Sequence, residues 1–221
     1  MASAQRANPG GSDAAAAADA QAATTARGRA KADRRAALLA AAARLFAEHG
    51  FAGVSIEDLG QAAGVSGPAV YRHFDSKQAV LSAMLIGVSE GLLSGGRACV
   101  EHAATPRDAL HALIDFHVDF ALAKPDVIRA QDRDLDSLSK ADATRVRTLQ
   151  RTYVELWVDV LEQLHDDDRR LLRVRAHAVF GLINSTPHSS RTHTADRPSL
   201  PLVGSLLREL AIACLLPAAA Q

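Results

Sequence analysis

The segment "LGQAAGVSGPAVYRHF", residues 59–74, predicts two short helices joined by a tight turn. Gly64 ends the first helix, because glycine readily adopts the left-handed backbone that a sharp turn needs. Ser66 is a good N-cap for the second helix, and Pro68 suits its first turn, where a missing backbone N–H removes no hydrogen bond. The segment therefore has the outline of a helix-turn-helix unit.

Helices are predicted on both sides of this segment, and no stretch alternates with a period of two, so the fold class is all-α. Ser55 and Asp58 form a capping-box pair that begins the first short helix. The other predicted helices cover about residues 32–49, 76 to 95 or a little beyond, 106–123, 125–133, 142–165, 167–185 and 198–216, with a polar loop at 185–197.

Composition excludes several classes of protein. The 221 residues carry no net charge, and Cys99 and Cys214 are too far apart in sequence to suggest a disulfide framework or a zinc site. No uninterrupted apolar run is long enough to cross a bilayer, and the first thirty residues lack the apolar core of a signal peptide. We expect a cytoplasmic protein without a cofactor or membrane partner, with residues 1–30 forming a disordered, Ala-rich tail that ends in a basic run.

Residues 36–80 resemble the DNA-binding domain of the TetR family of bacterial transcriptional regulators. The resemblance rests on "LFAEHGF", "SIEDLGQAAGVS" and "AVYRHFDSK", which follow one another almost without a gap. It implies a helix-turn-helix domain over residues 31–77 and a helical ligand-binding and dimerisation domain over 78–221. It also implies a homodimer that binds an inverted-repeat operator in double-stranded DNA.

The resemblance assigns DNA-binding roles to Ser55, Ser66, Gly67, Ala69, Tyr71, Arg72, His73 and Lys77. Arg72 is the candidate for reading a base, since a guanidinium fits guanine O6 and N7. Tyr71, His73 and Lys77 would contact phosphates, and the helix beginning at Ser55 would direct its N-terminus at another. The alternatives are a core position for Tyr71 and a surface position without function for His73. The basic run at 27–35 is either a flexible DNA-binding arm or a solvated tail.

Aromatic and histidine side chains in the second half are candidates for an effector pocket. The candidate ligand-binding residues are His117, Phe120, Tyr153 and Trp157, although core packing is the alternative for each. Arg129 or Arg133 would meet an anionic group, or else belong to a solvated connection. His111 and Asp115 have the spacing of a metal pair, but no third ligand is evident, so no metal site is predicted.

These features predict a ligand-responsive regulator, most simply a repressor that a small hydrophobic effector releases from DNA. The fragments "RDLDSL", "RTYVELWVDVL" and "FGLINSTPHS" are similar to actinobacterial family members associated with acyl-CoA and fatty-acid metabolism. Two apolar final helices indicate a homodimer interface, through Val179, Phe180, Leu182, Ile183, Leu202, Val203, Leu206, Leu207, Leu210 and Leu215. The alternatives are an activator, a regulator without a small-molecule inducer, or a helical enzyme, for which no nucleophile elbow or phosphate-binding loop is present.

Overall fold

The computed structural model describes the backbone of residues 11–189 and 198–216, and the side chains of residues 28–185 and 198–216. Every regular element in these ranges is helical, which confirms the all-α prediction. The helices are α1 (Gly11–His49), α2 (Ile56–Ala62), α3 (Gly67–Val70), α4 (Lys77–Glu101), α5 (Pro106–Ala123), α6 (Pro125–Asp134), α7 (Lys140–Leu161), α8 (Arg169–Ser189) and α9 (Leu200–Leu215), with a 3-10 turn at Leu135–Ser137.

Helix α1 begins far earlier than the apolar pattern predicted. Residues 11–30 are helical where the composition predicted disorder, and residues 1–10 lie outside the described part. The cause is intrinsic propensity, because alanine favours the helix even where no apolar stripe is available for burial. The basic run at 27–35 therefore lies within α1.

Helix α8 extends to Ser189, so the first residues of the predicted polar loop at 185–197 are helical. Residues 190–197 lie outside the described part. The division into domains at residues 30 and 77 remains a prediction.

The buried apolar side chains among the described residues form two hydrophobic cores. The first joins α1, α2 and α3 to the starts of α4 and α7, and it includes Phe46, Leu59 and Val70. The second joins α5, α7, α8 and α9 to the later part of α4 and includes Trp157. Helix α6 contributes to both cores, since Val127 packs in the first and Ile128 in the second. Helices α4, α6 and α7 thus connect the two cores.

Among the described helices, α4 is long and apolar enough to cross a membrane by length and composition alone, with a mean hydropathy of 1.4. Its apolar side chains pack inside the protein, with Leu81 and Leu85 fully buried in the first core and Leu93 buried in the second. These contacts are typical of a core helix.

Candidate DNA interface and effector cavity

The helix-turn-helix is held by short-range contacts that the sequence encodes. The Ser55 hydroxyl accepts a hydrogen bond from the Asp58 amide at 3.0 Å, and the Asp58 carboxylate accepts one from the Ser55 amide at 2.8 Å. This confirms the predicted capping box and holds the pKa of Asp58 below its usual range, chiefly through the Ser55 hydroxyl. Gly64 turns the chain with φ of 70°. A side chain at Gly60 would meet the Val65 carbonyl oxygen at 2.9 Å, so the tight turn excludes one.

The predicted DNA-binding residues lie at the N-cap of α2, along α3, and in the turn into α4. Tyr71 is 54% exposed, so it is not a core aromatic. Arg72 is also exposed, and its guanidinium makes no hydrogen bond or ion pair with a described residue. His73 is half-buried, and its Nδ1 has no hydrogen-bond partner among the described atoms. Ser66 is exposed, whereas Gly67 and Ala69 are half-buried.

Two of the predicted phosphate contacts already have partners within the protein. The Lys77 ammonium donates to the carbonyl oxygens of Phe51 at 2.7 Å and Val54 at 2.6 Å, and lies over the Phe51 ring. Lys77 thus fastens the α1–α2 turn to α4 and has one N–H left for a phosphate. The Ser55 hydroxyl and amide both donate to Asp58, so Ser55 has no free donor while the capping box is closed.

A cavity of about 210 Å³ lies between α4, α5, α6, α7 and α8. It is lined by Ser89, Leu92, His117, Phe120, Val127, Ile128, Gln131, Gln150, Tyr153, Val154, His177, Phe180 and Asn184. Three of the predicted ligand-binding residues are therefore brought together on its wall. The fourth, Trp157, is fully buried behind them, with its ring centre 4.8 Å from that of Phe180.

Sequence reasoning missed several residues of this wall. Phe180 was expected at the dimer interface, but it packs edge to face on His117 with ring centres 4.8 Å apart. Asn184 follows one turn later on α8, on the same side of the helix. Gln131 and Gln150 complete the polar part of the wall. The helical spacing of Phe180 and Asn184 was visible in the sequence, but nothing local distinguishes a cavity face from an interface face.

The polar centre of the cavity is uncharged. The Nε2 atom of His117 lies 3.2 Å from the Asn184 side-chain oxygen, and its Nδ1 lies 3.5 Å from the Tyr153 hydroxyl. Burial lowers the pKa of His117 to about 4, which the hydrogen bond to Asn184 only partly offsets. Burial also raises the pKa of Tyr153 well above its ordinary value. At neutral pH the centre is therefore a neutral imidazole beside a neutral phenol.

We expect buried His117 to make folding stability fall in mild acid. Its pKa is lower in the folded than in the unfolded chain, so stability is complete above about pH 6.5 and is lost as pH falls towards 4. Between pH 7 and pH 5 the free energy of unfolding should fall by about 2 kcal/mol. Urea unfolding at the two pH values checks this against His117→Gln, which removes the titrating group. An equal pH dependence in both proteins would contradict it.

The two arginines considered for an anionic ligand group, and the histidine–aspartate pair with metal-like spacing, do not line the cavity. Arg129 pairs with Asp126, and Arg133 pairs with Asp134 at 3.3 Å. Asp115, which lies one turn from His111, accepts a hydrogen bond from Arg208 at 2.7 Å. Among the described residues no group of histidine, cysteine, aspartate and glutamate side chains could hold a metal ion.

Helices α8 and α9 present a separate apolar surface to solvent, which we call the α8–α9 face. Its large members are Leu171, Val174, Leu202, Leu206 and Leu210, each at least 40% exposed. Four of the residues predicted for a dimer interface, Val179, Ile183, Leu207 and Leu215, are instead buried in the chain's own second core. The helices have two apolar sides, and the sequence pattern did not separate them.

Comparison with known proteins supports the TetR-family resemblance in both halves of the chain. Residues 38–84 match the family model described as bacterial regulatory proteins of the tetR family. Residues 103–188 match the model of a tetracyclin repressor-like C-terminal domain. The chain belongs to the TetR family. The relatives that it matches are named as HTH-type transcriptional regulators.

The similarity to curated relatives covers only part of this chain and part of each relative. The transcriptional repressor KstR2 of Rhodococcus jostii is 32% identical over 60% of this chain and 65% of its own length. The regulator EthR of Mycolicibacterium smegmatis is 36% identical over 48% of this chain and 49% of its own. The curated relatives are thus matched over no more than about two thirds of their length.

Solved structures extend the likeness of fold over most of the chain. A TetR-family regulator from Bordetella parapertussis is 26% identical, with a TM-score of 0.69 over 83% of this chain and 98% of its own. The ketosteroid regulator KstR2 of Mycobacterium tuberculosis is 22% identical, with a TM-score of 0.67 over 84% and 96%. Because the identity to KstR2 of Mycobacterium tuberculosis is only 22%, that likeness shows the fold alone.

Proposed function

We propose that this regulator is a dimeric repressor that leaves an inverted-repeat operator when a small hydrophobic effector occupies the cavity. The observation that carries the proposal is the position of Val127. This side chain of α6 lines the cavity, and it packs in the first core, where α1 supports the helix-turn-helix. An occupant of the cavity would therefore press on the helix that joins it to the DNA-binding unit.

The link continues along α6 towards the DNA-binding unit. The Arg133 guanidinium packs close to Gly50, where α1 ends with φ of 79°. Movement of α6 would therefore reach α1 at two positions: through Val127 in the first core, and through Arg133 beside Gly50 at the end of α1. Release follows if the effector binds more tightly to the arrangement in which the two recognition helices are wrongly spaced for the operator.

The sign of regulation is proposed from the relatives. KstR2 is named a repressor, whereas FasR of Mycolicibacterium smegmatis, 33% identical over 40% of this chain, is named an activator. Activation, or DNA binding without an inducer, is the second candidate. An acyl-CoA or a fatty acid is the first effector class to examine, on the resemblance of the second half.

Fluorescence anisotropy tests the proposal with a labelled DNA fragment from just upstream of the protein's own gene. We expect saturable binding that survives a scrambled competitor at two salt concentrations, since nonspecific binding depends steeply on salt. Absence of specific binding to this fragment and to a genome-derived fragment library would contradict the function. A specific complex that no hydrophobic compound dissociates would instead favour the second candidate.

Arg72→Ala should reduce the preference for the operator over random DNA. A bidentate contact to guanine is worth about 1–3 kcal/mol of discrimination, or roughly 5-fold to 150-fold. Competition titrations measure this ratio, with Arg97→Ala as the matched control, because Arg97 is also exposed but lies on α4 away from the helix-turn-helix. An unchanged ratio would remove Arg72 from base reading.

A further inference from the structure

The polar side chains on the cavity wall are amides, hydroxyls and imidazoles. Among the residues whose side chains the structure describes, no aspartate, glutamate, lysine or arginine lines the cavity. The two imidazoles belong to His117, which is deeply buried, and His177, which is exposed at the α8 edge. A buried charge is stable only beside an opposite charge or several hydrogen bonds, and this wall offers no opposite charge.

The volume limits what the cavity accepts. The space inside it is about 210 Å³. A cavity of about 150 Å³ holds one benzene ring, so this cavity suits one ring with a short extension. The faces and edges of Phe120, Tyr153 and Phe180 on its wall favour an apolar or aromatic body of that size.

Gln131 of α6 and Gln150 of α7, which we call the glutamine pair, mark the boundary of the cavity. Neither side chain makes a hydrogen bond to a described residue. Both also line an outer depression of about 360 Å³, together with Asp132, Arg133, Leu135, Asp136 and Arg147. The two spaces therefore meet at amide groups that are available for a ligand.

We propose that the cavity takes a compact, uncharged ligand body, which enters between α6 and α7 and is hydrogen-bonded by the glutamine pair. The proposal rests on the proposed function and specifies the chemistry of its effector. It excludes a fatty acid bound with its carboxylate inside. A CoA thioester fits only with a small acyl group inside and its phosphates outside, because the thioester itself carries no charge.

The test compares three ligands that share one phenylbutyl body. We would titrate wild-type protein at pH 8 with 4-phenylbutan-2-one, 4-phenylbutanoate and 4-phenylbutylammonium. Binding is followed by the fluorescence of Trp157, the single tryptophan of the chain, whose ring lies against the cavity wall. The ketone should bind at least about tenfold more tightly than either ion, because only the ions lose hydration without a partner.

Two variants test the entrance. Gln150→Arg places a cation at the boundary and should shift the preference towards 4-phenylbutanoate by at least about tenfold. Thr148→Arg is the matched control, since Thr148 is exposed on the same helix and does not line the cavity. Calorimetry measures both variants, and an equal shift in the control would remove the glutamine pair from the entrance.

The outcomes separate this inference from the proposed function. Carboxylate or ammonium binding as tight as the ketone, or no binding of any probe, overturns the inference. If the ketone binds with the expected preference, the inference stands, and failure of every cavity ligand to release operator DNA then counts against the proposed function alone. Operator release by anionic probes only would leave the function standing and overturn the inference.

Discussion

Leu206→Glu is expected to yield a folded monomer that no longer binds the operator. Leu206 lies on the α8–α9 face and is 52% exposed in the isolated chain. In a two-fold dimer each substitution occurs twice. Loss of about 2 kcal/mol for each buried leucine then gives about 4 kcal/mol, or roughly a thousandfold weaker dimer, before the cost of burying two carboxylates is added.

Sedimentation of the variant at micromolar concentration checks the dimer, and operator titration checks its consequence. Ala98→Glu is the control, since Ala98 is exposed on α4, outside the α8–α9 face. The control should remain dimeric and bind the operator as wild type does. A dimeric Leu206→Glu protein with normal operator affinity would show that the subunits associate through another surface.

The sequence predicted the DNA-binding unit well because its constraints are local. The capping box joins Ser55 to Asp58 within one turn, and Gly64 adopts its positive φ because the next helix starts three residues later. The partners of Lys77 were not predictable in this way. Its ammonium bonds to the carbonyls of Phe51 and Val54, more than twenty residues away in sequence. A surface lysine at a helix start has no local sign of such a contact.

The cavity that we propose for the effector could also be predicted only in part from the sequence. His117, Phe120 and Tyr153 were found because large aromatic and polar side chains at helical spacing are unusual in this alanine-rich chain. Phe180 was assigned to the wrong side of α8, because the helix buries one apolar side and exposes another. Which side faces the cavity is decided by how α8 rotates against α5 and α7, which one sequence does not encode locally.

Gly96→Val is expected to reduce folding stability by about 3 kcal/mol and to abolish ligand binding in the cavity. A Cβ atom at Gly96 would lie 2.6 Å from Cε2 of Tyr153 and 3.1 Å from Cδ2 of Leu156. Tyr153 is only 5% exposed, so its ring cannot turn outwards to make room. The ring would move towards His117 instead, and the cavity between the two would shrink.

Gly91→Val is the matched control on the same helix. Gly91 is exposed, and a Cβ atom there meets nothing within 4 Å, so valine should be neutral or slightly stabilising through its better helix propensity. Urea unfolding and 4-phenylbutan-2-one binding measure both variants. The two readouts separate the role of Gly96 in packing from its role in the site. If Gly96→Val were destabilised but still bound the ketone, Tyr153 would not form the wall against which the ligand rests. If it were as stable as Gly91→Val, the close approach of α4 to α7 would not be needed for the fold.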